Sequence, residues 1–196
     1  MSIDDINSTP RPAPRVNPLS PDLWDDEVRE LLGGSLPGLP PLSESAWLTT
    51  LAHNPRLMRR FGPFANHLLL KGRLPARARE LLILRTAWLC QAPYEWGEHV
   101  AFAKRAGVTA AEIERLIDGG AHADWSPPDA ALVCAAEELH VDSIISDSTW
   151  SDLTEQFDEA TLIELLMVIG MYHLIAWTQN SLRIAPDEGR RGLAER

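Results

Sequence analysis

Residues 80–99 read Glu-Leu-Leu-Ile-Leu-Arg-Thr-Ala-Trp-Leu-Cys-Gln-Ala-Pro-Tyr-Glu-Trp-Gly-Glu-His. The first half is nearly all apolar and lacks the strict alternation of a half-buried strand, so it predicts a buried helix. Pro93 cannot continue that helix and is well placed as the first residue of the next one. Two successive helices follow, about 75–91 and 93–107. Together they form a hairpin inside an all-α domain.

On the second helix, Ala92, Glu95, Trp96, His99, Phe102, Ala103 and Ala106 share one face. Tyr94, Glu98, Lys104 and Arg105 take the opposite face. Glu95 and His99 therefore stand one turn apart on the apolar side. Glu80 lies on the first helix among Ile83, Leu84, Ala87 and Trp88. In an antiparallel hairpin it approaches His99. Burying such groups is costly unless they pair. A histidine flanked by carboxylates can move a proton at neutral pH. The bland alternative is an ion pair that serves only the specificity of the core.

The rest of the chain extends the helical reading. Residues 1–21 hold Pro10, Pro12, Pro14, Pro18 and Pro21 with no helical period, an extended arm that is either disordered or laid over a neighbouring subunit. Residues 22–196 form the all-α domain. Helices are predicted over 22–33, 43–53, 55–71, 110–118 and 126–142, with shorter signals at 148–156. Thr109-Ala-Ala-Glu112 is a capping box, and Asp158 caps a last long helix through about Leu182. Glu80-Leu-Leu-Ile-Leu and Glu164-Leu-Leu-Met-Val hint at an internal duplication.

The chain has 196 residues, 45% of them hydrophobic, enough for one sizeable core. Its formal net charge of -10 disfavours nucleic acid and anionic membranes as partners. The N-terminus lacks a signal-peptide pattern, and the apolar stretch from Leu162 to Trp177 contains Glu164 and His173, so it reads as a core helix rather than a membrane span. Cys90 and Cys134 read as unpaired thiols of a cytoplasmic protein. No metal is assigned: the surroundings of the cysteines offer too few ligands, and Glu80, Glu95 and His99 include a single imidazole. No cofactor is expected.

Other candidates are weaker. Tyr94 falls off the His99 stripe, which favours a surface or subunit contact over a hydrogen bond to substrate. Trp96 is either core or pocket wall. His173 and Trp177, with Asn180 one turn on, could form the opposite wall of a pocket. Arg85, inside a buried run, needs an acid partner. His53, His122 and His140 offer no usable spacing.

These motifs resemble the carboxymuconolactone decarboxylase family, which includes the alkylhydroperoxidase D-type proteins. The resemblance rests on Arg79-Glu80-Leu81-Leu82, Cys90-Gln-Ala-Pro-Tyr-Glu-Trp-Gly-Glu-His99 and Ala106-Gly107-Val108, with Asn54 to Leu57 and Arg73 to Pro75 upstream. It implies a single-domain helical bundle of the alkylhydroperoxidase D-like type, assembled as a trimer or hexamer. In the hydroperoxidase branch, a Cys-x-x-Cys pair precedes the histidine. Here those two places hold Ala92 and Glu95, while the relay residues match Glu80 and His99. The resemblance therefore implies a cofactor-free lyase or isomerase that uses His99, Glu80 and Glu95 on a small cyclic or aromatic-derived acid or lactone. A hydroperoxidase-type oxidoreductase using Cys90 is the second expectation, and a non-enzymatic oligomeric binding protein the third.

Overall fold

In the computed structural model, residues 12–35, 40–187 and 192–193 are described. They contain nine α-helices: α1 (Asp26–Leu32), α2 (Ala46–Leu51), α3 (Pro55–Asn66), α4 (Ala76–Leu89), α5 (Pro93–Arg105), α6 (Ala110–Asp118), α7 (Pro127–Val141), α8 (Asp147–Thr154) and α9 (Glu159–Leu182). Among the described residues there is no strand, only an isolated bridge between Ser35 and Pro41. The architecture is all-α, as the sequence predicts.

The central element is α4, which packs against α5, α7 and α9. Its residues Glu80 to Ala87 are all buried, so it has no wet face and behaves as a core helix. The other long core element is α9. Its length and composition would allow a membrane span, yet 61% of its most apolar window is packed inside the domain. Ile163, Met167, Leu174 and Trp177 remain exposed along its outer face.

Local signals set the helix ends. Thr109 and Glu112 make the reciprocal capping box at the start of α6. Arg77 reaches from α4 to Glu112 (2.7 Å) and to Asp129 (2.8 Å), tying the starts of α6 and α7 to the central helix. Asp158 accepts from the Thr161 amide at 2.8 Å and caps α9. After α3 the chain continues as a π-helical turn, His67–Lys71, before Gly72. A Cβ at Gly72 would collide with the Glu164 carboxylate, which accepts the amides of Arg73 and Leu74, each at 2.9 Å. Glu164 therefore anchors the entry to α4, whereas Glu80, its counterpart in the suspected duplication, faces His99.

Residues 1–11 of the predicted arm lie outside the described residues. The described part packs on its own chain: the Arg15 amide donates to the Leu182 carbonyl (2.9 Å) and the Leu19 amide to the Thr49 carbonyl (3.0 Å).

Candidate active site

The α4–α5 hairpin brings Glu80, Glu95 and His99 together. Pro93 starts α5, which places Glu95 in the first turn and His99 one turn later. His99 Nδ1 lies 2.8 Å from Glu80 Oε2, and Nε2 lies 3.2 Å from Glu95 Oε1. Glu80 is 0% exposed, and Glu95 and His99 are 5% exposed. The second Glu80 oxygen accepts from Arg79 Nε at 3.1 Å. The order across the site is Arg79, Glu80, His99, Glu95.

Both imidazole nitrogens face carboxylates, and only the doubly protonated ring can donate to both. Burial by itself disfavours the imidazolium. The charge and hydrogen bond of Glu80, joined by those of Glu95, outweigh it and raise the His99 pKa to about 9. Phe102 stacks on the ring at 5.1 Å, and Tyr172 from α9 meets it edge-on at 4.9 Å.

Glu95, His99 and Tyr172 form one wall of a cavity of about 1000 Å³ that also reaches Trp47, Phe61 and Met171. Glu80 lies behind this wall. The lining is mainly apolar, with a few polar groups, the usual character of a small-molecule site. Two of those groups have no hydrogen-bond partner among the described residues: Asn66 Oδ1, and both amide atoms of Gln179, a residue 1% exposed. A buried amide left without partners is costly unless something fills its hydrogen bonds. These groups are suited to hold polar atoms of a ligand.

Tyr94 requires a correction. It is not a surface residue; it is 4% exposed and lines the cavity. Its hydroxyl donates to Asp187 Oδ2 (2.7 Å) and lies 2.8 Å from Ser45 Oγ. Segments distant in sequence cover this face of α5, which a helical wheel of α5 alone would leave in water. Trp96, by contrast, is away from the cavity: it sits in the core, with its ring 5.6 Å from that of Trp88. His173 and Trp177 do not form the opposite wall. Successive residues on a helix point about 100° apart, and it is Tyr172 that meets His99, with Gln179 further along α9. His173 turns toward His140 and Cys90 on the far side of α9, and Trp177 is exposed. Arg85 pairs with Glu137 at 2.9 Å.

Sequence reasoning missed Tyr172 and Gln179. Both lie at helical spacing on the face of α9 that carries Val168, Ile175 and other buried residues, and a polar residue on an apolar stripe was the available signal. Cys90 and Cys134 are free, and burial pushes the Cys90 thiol up to about 11.

The model of the carboxymuconolactone decarboxylase family matches residues 55–138, from α3 through most of α7. No match was found among curated protein sequences. An uncharacterized peroxidase-related protein from Ralstonia eutropha JMP134 with an alkylhydroperoxidase AhpD core superposes with a TM-score of 0.75 at 19% identity, covering 91% of this chain and 95% of that one. A peroxidase-related protein from Silicibacter sp. TM1040 gives 0.77 at 16% identity, covering 93% and 97%. The debrominase Bmp8, in complex with 2,3,4-tribromopyrrole, gives 0.63 at 15% identity, covering 88% and 91%. Residues 55–138 thus carry the similarity to the carboxymuconolactone decarboxylase family, and the helical architecture around them is similar to that of the alkylhydroperoxidase AhpD core.

Proposed function

We propose that this protein is a cofactor-free lyase or isomerase that transfers a proton to or from a small cyclic or aromatic-derived acid or lactone. One observation carries this reading: His99 is bridged between two carboxylates at the wall of a largely apolar cavity. In a decarboxylation, the substrate carboxylate leaves as CO₂ and its bonding electrons delocalise toward a conjugated carbonyl. A proton must then reach carbon. The His99 imidazolium shares a proton with Glu95, and both groups face the cavity, so either can deliver it. Glu80, with Arg79 behind it, holds the ring in place and keeps it charged. It is a positioning residue. The same arrangement run over two carbons would serve an isomerisation.

The test is turnover of a panel of unsaturated cyclic acids and lactones in D₂O. The expected result is deuterium incorporated at carbon by the native chain, with a loss of about 10²-fold or more in His99→Asn, typical of removing a general acid. A folded His99→Asn protein that retains full activity would overturn the reading.

A peroxidase-type reading has its own observation, the 3.9 Å approach of Cys90 Sγ to His140 Nδ1. Dithiol peroxidase chemistry needs a thiolate and a resolving thiol. Ala92 and Glu95 stand where the redox pair would be. This reading expects peroxide turnover that disappears in Cys90→Ala.

A further inference from the structure

On the opposite side of α9 from the cavity, three residues distant in sequence converge. Cys90 caps the end of α4, His140 lies in the last turn of α7, and His173 is in α9. Cys90 Sγ is 3.9 Å from His140 Nδ1, and that nitrogen is 3.0 Å from His173 Nε2. All three ligand atoms lie within 4.8 Å of one another. The proton-transfer chemistry at His99 uses none of them.

We propose that Cys90, His140 and His173 form a zinc site with a fourth position open to solvent. Zinc–nitrogen and zinc–sulfur bonds in a tetrahedron set ligand separations of about 3.3 Å between two nitrogens and about 3.6 Å between nitrogen and sulfur. The two separations found here are within a few tenths of an ångström of those values. The supporting shell is also in place. His173 Nδ1 donates to the Ile169 carbonyl at 2.9 Å, which leaves the Nε2 lone pair aimed at the cluster. A ligating histidine is usually held by such a bond through its other nitrogen. The Trp177 ring packs against His173 at 5.6 Å, and Asn180 Nδ2 donates to the Cys90 carbonyl at 2.8 Å, fixing the end of α4 against α9. His140 is exposed and Cys90 half-buried, so an ion has a path in. One thiolate and two imidazoles suit zinc better than magnesium or calcium, which favour oxygen ligands. A bound ion would clasp the ends of α4 and α7 to α9.

The experiment titrates the full-length chain, stripped with a chelator, with Zn²⁺ by calorimetry and with Co²⁺ by absorption. The expected result is a single Zn²⁺ per chain with micromolar or tighter affinity. Cobalt should give a thiolate charge-transfer band and the intense visible bands of a tetrahedral site. Zinc should also raise the melting temperature, because it binds only the folded arrangement. Cys90→Ser should abolish the charge-transfer band, and His140→Ala should weaken zinc by about 10-fold or more. Both residues are at least partly exposed, and circular dichroism checks that the variants fold. Cys134→Ser and His99→Ala should bind as the native chain does. Absence of stoichiometric binding would overturn the proposal. So would binding that survives Cys90→Ser and His140→Ala but is lost in His99→Ala, which would put the ion among Glu80, Glu95 and His99.

Discussion

At the residue scale, the protein turns on a carboxylate with no access to water. Glu80 is tolerable in the core because Arg79 occupies one oxygen and His99 the other. Removing the charge should cost far more than a surface ion pair would. Glu80→Gln should destabilise the fold by about 3–5 kcal/mol, read from urea unfolding, because it takes the carboxylate away from the buried Arg79 and His99 side chains that pair with it. The pH dependence follows from His99. Its folded pKa, about 9, lies above the ordinary value of 6.5. Protonation therefore stabilises the fold fully below about 6.5, and that contribution is lost as the pH rises through about 9. Urea midpoints between those limits should fall for the native chain. His99→Asn should remove this part of the slope. Parallel profiles for the two proteins would mean that His99 is not held charged.

At the scale of elements, some features were legible because their chemistry is local. The Thr109–Glu112 box predicts the start of α6, and Asp158 marks the start of α9 through its own bond to the Thr161 amide. Thr109→Ala should cost about 1 kcal/mol in urea unfolding, since it removes the cap that α6 relies on. The placing of Glu95 and His99 on one buried face was legible too, because Pro93 sets the register of α5, whereas which carboxylate meets the ring was not, since Glu80 comes from another helix. Tyr94 was not legible. Ser45 and Asp187, the residues that bury its hydroxyl, come from opposite ends of the chain. On α9, a helix hydrophobic nearly all round, periodicity does not tell which face meets which neighbour, so Tyr172 and His173 exchanged roles. His140 had no local partner to betray it, since Cys90 and His173 are far away in sequence.

At the scale of the whole molecule, α4 and α9 organise two groups of side chains on opposite sides of α9: a cavity bordered by Glu95 and His99, and a Cys–His–His cluster. The same helix leaves Ile163, Met167, Leu174 and Trp177 exposed on its outer face. The trimer or hexamer that the sequence resemblance implies would cover such a stripe with a second copy of the chain. Light scattering during size exclusion should then report a multiple of the 21.8 kDa chain, and Met167→Glu with Leu174→Glu should reduce it to the monomer. A native chain that elutes as a monomer at micromolar concentration would contradict this. Proton transfer at the cavity wall depends on the ionisation state of His99. The direct test is a ¹⁵N NMR titration of the His99 side chain in the native protein and in Glu80→Gln. The prediction is an imidazolium that keeps its proton well above pH 6.5 in the native chain, titrating at about 9, and loses it at clearly lower pH in the variant. A ring that titrates at or below 6.5 in both proteins would contradict it.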